Sequence, residues 1–245
     1  IGSCNADVLG VNSGCIYIYI KKIVDGELVF DDDYYIKVDS PQPLSDQGFG
    51  SKVSMNSLGT KIAISAPNYS NQSYNVGAVF VYNLLSTTNS SSIYKDSDNS
   101  NLVTITGSLY GSESYEQYGS CININGSGEY LVVSSSGNTT TYGKINIYHY
   151  DSTSSWLQFS ETFISNEYTL PGTTLGVSSD CTIIVVGYDL KYENQEYNCS
   201  NVLRLGTYEN TITTEYSYIK YGLSVGKNIS EHPIDIYENK DKNII

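Results

Sequence analysis

The 245 residues carry 13 Lys and Arg against 26 Asp and Glu, a formal charge of −13. Binding phosphates needs clustered cations, so this balance argues against nucleic acid and against an anionic membrane surface. No apolar run approaches the ~18 residues of a spanning helix, and the apolar share is unusual, with 24 Tyr against 5 Phe and 1 Trp. Ile, Val, Tyr and Thr run in short blocks separated by Gly, Ser, Asn and Asp, without sustained helical periodicity, which reads as strands and turns. The fold class is therefore all-β.

In chain order, residues 1–5 read as the end of a strand, followed by strands at 14–20 (GCIYIYI) and 28–38 (LVFDDDYYIKV). Phe49-Gly50 then opens a unit with strands KIAISA (61–66), GAVFVY (77–82) and NLVTITGSL (101–109). Tyr118-Gly119 opens a second, with EYLVVSS (129–135), GKINIY (143–148) and SWLQFSETF (155–163). Leu175-Gly176 opens a third, with TIIVVGY (182–188), NVLRL (201–205) and TITTEYSYI (211–219). Tyr221-Gly222 begins a further first strand, and PIDIY (233–237) reads as a second.

Each unit has the pattern of a four-stranded antiparallel sheet whose side chains alternate between two faces. One such sheet cannot bury both faces alone, so copies must stack, and radial stacking gives a β-propeller of about four blades. The expectation is one domain over 1–245, with blade parts at 1–38, 49–106, 118–163 and 175–218, and 221–237 joining the first. The chain ends either meet and close the ring, pair with neighbouring chains, or belong to an open fragment of a larger propeller. Closure, with the last blade completed by both ends, is the reading carried forward.

These units resemble the FG-GAP repeat, the propeller blade of integrin α-chain heads and of many secreted proteins. Phe49-Gly50 stands for FG, Ser65-Ala66-Pro67 for GAP, and Gly77-Ala78-Val79 opens the strand that family writes Gly-x-Val-Tyr. The unit at 49–106 is close to the pattern, 118–163 has Tyr118 for Phe and Ser-Ser for Gly-Ala, and 175–218 is degenerate. The resemblance covers nearly the whole chain and implies a structural or adhesive role. Blades of this family often carry an Asp-x-Asp-x-Asp-Gly calcium loop, but here the corresponding turns hold at most one acid each. Neither metal nor cofactor is expected. DSDNSN at 96–101 reads as a solvated turn.

Nothing in the sequence is organised for catalysis. It has no HExxH, GxSxG or phosphate-cradling glycine motif. The two histidines, His149 and His232, stand apart, and the acids at 31–33 read as a solvated outer strand. The innermost strands, 49–55, 118–124 and 175–179, carry no carboxylate. The expected function is a non-enzymatic extracellular or surface module, structural or adhesive, that presents loops to other proteins or to copies of itself. The presenting loops are 4–13, 67–76, 135–142 and 188–200, with Tyr69, Tyr74, Tyr142, Tyr188, Tyr192 and Tyr197 as candidate contacts. Tyrosine suits this use, since it brings wide contact area and a hydrogen-bonding tip. The alternative is a glycan-binding, lectin-like propeller in which the same rings stack on sugars.

Asn-x-Ser/Thr triplets at Asn68, Asn71, Asn89, Asn125, Asn138, Asn198 and Asn228 are candidate glycosylation sites and point outside the cell, to a cell or virion surface. Five cysteines leave at least one unpaired within the chain. Cys4 and Cys15, at the end of one strand and the start of its antiparallel neighbour, form the one candidate disulfide.

Overall fold

The structure, a computed structural model, describes residues 1–84, 102–137, 143–151, 153, 155–163, 169–192, 195–205, 212–213, 237–239 and 242–244. Its elements are strands throughout. They are β1 (Gly2–Ser3), β2 (Cys15–Val24), β3 (Glu27–Asp39), β4 (Val53–Met55), β5 (Lys61–Ala66), β6 (Ala78–Leu84) and β7 (Val103–Tyr110). There follow β8 (Tyr118–Ile124), β9 (Tyr130–Ser135), β10 (Lys144–Tyr150), β11 (Trp156–Phe163), β12 (Thr169–Val177), β13 (Ile183–Tyr192) and β14 (Gln195–Leu205). The last are β15 (Ile212–Thr213), β16 (Tyr237–Asn239) and β17 (Lys242–Ile244). No described helix is long and apolar enough to cross a membrane.

Strands β1 to β3 form a three-stranded sheet, and β4–β7, β8–β11 and β12–β15 each form a four-stranded sheet laid down in chain order. All pairings between these strands are antiparallel. Among the described residues β16 and β17 pair only with each other. Of the segment expected to complete the first sheet, 221–237, only Tyr237 lies within the described residues.

Period-two alternation decides how the sheets stack. Ile62, Ile64, Phe80 and Tyr82 of β5 and β6 join Ile16, Ile18, Ile36 and Val38 of the first sheet in one buried cluster. Ala63, Val79 and Val81, one residue out of phase, face the opposite way and join Ile122, Leu131, Val133 and Trp156 of the third sheet. The third sheet repeats the device, as Val132, Ile145 and Ile147 meet Leu175, Ile184 and Val186 of the fourth. Strands covered on both faces read as continuous apolar runs, and β5, β6 and β9 are buried along most of their length. The outer strand β7 (VTITGSLY) is mostly exposed or half-buried, which explains its threonines and serine. Each fully buried Val, Ile, Leu or Phe side chain contributes about 1.5–3 kcal/mol, so these interlayers dominate stability.

Backbone contacts between consecutive sheets recur in register. Gly14 forms a parallel bridge with Phe49, and Gly77 forms the same bridge with Tyr118. The two glycines share φ +81°, and a Cβ on either would collide with the backbone of its aromatic partner. This accounts for the glycine that starts the third strand in both units. Around each bridge the amides of Asp46, Gly48 and Phe49 donate to the carbonyls of Val11, Asn12 and Ser13. One repeat later Tyr115, Gln117 and Tyr118 donate to Tyr74, Asn75 and Val76. At the opposite end the turns between first and second strands also interlink, Ser57 N–H donating to Gly126 O and Gly126 N–H to Ser179 O.

Two segments depart from the sequence reading. Residues 188–200, expected as a loop, are mostly strand, because β13 and β14 continue as a paired hairpin out to Tyr192 and Gln195. Likewise β2 and β3 extend to a tight turn at Asp25-Gly26, both residues with positive φ, as a two-residue hairpin requires.

Candidate functional site

The end of the stack that carries the loops after the second strands also carries the links into the next first strands. Here the segments 67–77 and 111–118 are laced together by backbone hydrogen bonds, Tyr115 N to Tyr74 O at 2.7 Å and Gln117 N to Asn75 O at 3.0 Å. This lacing brings the Tyr74 and Tyr115 rings face to face, 18° from parallel with centroids 6.5 Å apart. Tyr74 is 73% exposed and Tyr115 49% exposed. Tyr115 holds φ +63°, a backbone conformation in which a bulky aromatic is a real outlier.

Beneath this pair lies a buried charged group. The Glu116 carboxylate accepts hydrogen bonds from Ser112 N (2.7 Å), Glu113 N (3.1 Å) and Ser135 Oγ (3.1 Å). The Lys144 ammonium reaches it from β10 at 3.9 Å and contacts Glu113 Oε1 at 3.3 Å. Both Glu116 and Lys144 are buried. The cluster clamps the 111–117 link to the body of the third sheet, and its donors and acceptors are engaged with one another. In the preceding unit the position of Glu116 is occupied by Gln47. There Pro43, Ala66 and Ala78 replace Ser112, Ser135 and Lys144, and among the described residues neither side-chain amide atom of the fully buried Gln47 has a hydrogen-bond partner.

The tyrosines read from the sequence meet different fates. Tyr74 is on the surface as expected. Tyr69 is not, being 6% exposed and packed among Phe80 and Tyr110 at 6.4 and 5.5 Å between ring centroids. Its hydroxyl donates to Gln42 Oε1, and burial pushes its pKa up. Tyr69 is thus part of the wall behind the loop and not on its surface. Tyr142 lies outside the described residues. Tyr188, Tyr192 and Tyr197 belong to the β13–β14 hairpin and not to a loop, and their side chains are outside the described ones.

Among the glycosylation candidates, Asn68 and Asn71 are exposed near Tyr74. Asn125 is 3% exposed, with its amide nitrogen donating to Ser179 O and Ser127 Oγ and its carbonyl oxygen accepting from the turn amides of residues 128–130. That geometry leaves no room for a glycan. Asn198 sits in β14, and Asn89, Asn138 and Asn228 lie outside the described residues.

Cys4 and Cys15 are both free thiols. The register sets Ser3, not Cys4, opposite Cys15. Cys15 is fully buried, while the Cys4 thiol donates to Asn5 Oδ1.

Tyr115 escaped the sequence reading because it lies in a link and not in one of the four loops. The signal available was the repeat itself, since Tyr115 occupies the position held by Asp46 one unit earlier and so shares the face of the loop opposite it. No protein-family model and no curated protein matches this sequence.

Proposed function

We propose that the chain is a β-propeller of about four blades, of the FG-GAP kind, whose two ends complete one blade. It acts outside the cell or on a cell or virion surface as a non-enzymatic structural or adhesion module. Its loop face makes the contacts, with other proteins or in assembly. The observation that carries this reading is the Tyr74–Tyr115 pair, two large exposed aromatics held in a fixed stack by backbone hydrogen bonds. A pre-ordered aromatic surface loses little entropy on binding. Sheets buried on both faces against their neighbours, with interlinked turns at one end and laced loops at the other, support the propeller reading.

The contact role is tested by placing the photo-crosslinking residue benzoylphenylalanine at position 74, or at Leu157 on the outer strand β11, and irradiating with cell-surface material from the natural source. Crosslinks to a discrete protein from position 74 alone are expected. None from 74, or equal labelling from 157, would sink the contact role. Ring closure is tested separately by small-angle scattering, because a compact chain of this length has a radius of gyration of about 18 Å and an open arc is longer. The glycan-binding reading draws on the same flat, exposed rings, and a glycan array probed with the Tyr74→Ala variant as control decides it.

A further inference from the structure

We propose that the loop face receives a basic segment of a partner protein, with a guanidinium stacking on Tyr74 and Tyr115 and aliphatic side chains settling on Leu9, Val11 and Leu44. This rests on the loop face being the contact surface and adds the chemistry of what it contacts.

Exposure along this end is patterned by the repeat. Val11 occupies in the first unit the position of Tyr74 in the next, and Leu44 that of Glu113. Leu9, Val11 and Leu44 are 59%, 58% and 39% exposed. The two junctions are joined through Gln42, which sits in the first link, donates to the Tyr110 hydroxyl at 2.9 Å and accepts from that of Tyr69. The result is a continuous arc that is aliphatic at one junction and aromatic at the other.

Charge selects the occupant. The four segments that build the arc, 5–13, 40–48, 67–76 and 110–117, contain Asp7, Asp46, Glu113 and Glu116 and no Lys or Arg. Glu116 is buried, whereas Asp7, Asp46 and Glu113 are exposed. Lys144 approaches from below, with its side chain 9% exposed, and partners Glu113 and Glu116, so it offers no outward cation. A second copy of the chain, also at −13, would bring like charge to the interface; a basic partner relieves it. Arg fits the stacked tyrosines better than Lys does, since its planar guanidinium lies flat on an aromatic face.

The test is an NMR titration of protein carrying 13C-labelled tyrosine with three capped hexapeptides, RLGRLR, KLGKLK and ELGELE. The titration is run in 0.15 M salt, where the Debye length is about 8 Å and diffuse attraction is damped. The expected result is binding in the order arginine, lysine, glutamate, with shifts centred on the Tyr74 and Tyr115 rings. A roughly tenfold loss is expected in Tyr74→Ser/Tyr115→Ser, with Leu157→Ser unchanged. Equal affinity for the double variant, equal affinity for the glutamate peptide, or no binding of the arginine peptide overturns the proposal. If crosslinking from position 74 still captures a partner after that, only the charge assignment has failed. If it does not, the contact reading has failed too.

Discussion

The same substitution at two equivalent positions should have opposite effects. Glu116→Leu removes the acceptor shared by Ser112 N, Glu113 N and Ser135 Oγ and takes a counter-charge from buried Lys144. Breaking a buried pair costs about 3–5 kcal/mol. Glu113 remains 3.3 Å from the ammonium, which holds the electrostatic part at the lower end. Of the three donors only Ser135 Oγ is fully buried, and orphaning it adds at least about 1 kcal/mol, so a loss of about 4 kcal/mol is expected. Gln47→Leu removes an amide that has no partner among the described residues and keeps the backbone carbonyl that accepts from Asn68 N at 3.2 Å. It should stabilise by about 1–2 kcal/mol. Thermal unfolding followed by circular dichroism reads both, because 1 kcal/mol moves Tm by about 2–4 °C in a chain of this size. Glu116→Leu is then expected to lose roughly 8–16 °C and Gln47→Leu to gain a few degrees. A Gln47→Leu loss comparable to that of Glu116→Leu would refute the reasoning, since it would mean that the Gln47 amide is satisfied in solution.

Gly77→Ala should destabilise by more than about 4 kcal/mol, as its Cβ meets the Tyr118 backbone. Gly59→Ala has the same sign of φ (+65°) with no atom within 4 Å, and should cost only about 1–2 kcal/mol of strain in urea titrations. Burial pushes the Cys181 thiol up to about 12 from 9.0 and raises Tyr82 as well. Between pH 9 and 12 the unfolded chain therefore sheds a Cys181 proton that the fold retains. Stability is full below pH 9 and falls above it, by about 1.4 kcal/mol per unit for each such group. Cys181→Gly, which places glycine where Gly59 and Gly128 stand in the other turns, should shallow that slope. In the native protein a thiol reagent should modify half-exposed Cys4 while sparing buried Cys15, Cys121 and Cys181.

Much of the fold is legible in the sequence because the strands are specified locally. GAVFVY is a continuous apolar run bounded by turn residues and GKINIY alternates apolar with polar, and they became β6 and β10 within a residue or two of the expected bounds. Where the reading fails, a template has overridden a local signal. Tyr188-Asp189-Leu190-Lys191-Tyr192 alternates apolar and polar as a strand should, but the repeat assigns those residues to a loop. Cys181 shows the reverse case, since it adopts φ +61° where the equivalent residues are glycines. The interlinked turn around it fixes the backbone regardless of side chain.

The candidate site is less legible for a related physical reason. Its geometry is held by main-chain bonds, such as Asp46 N to Val11 O in one unit and Tyr115 N to Tyr74 O in the next, and these place no demand on the side chains they position. Val11 and Asp46 can therefore become Tyr74 and Tyr115 without altering the junction. A pattern search sees only what the junction needs, the glycine and the following aromatic. Burial adds a second obscurity. Tyr69 and Tyr74 lie in one loop, yet Tyr69 is buried beside Phe80 while Tyr74 is exposed. Which of the two faces solvent depends on the sheet beneath, through the hole above Phe80 that Tyr69 fills, where the first unit has Ala6. Side chains at junction positions are free to vary, and the contact surface proposed for this protein draws on those positions.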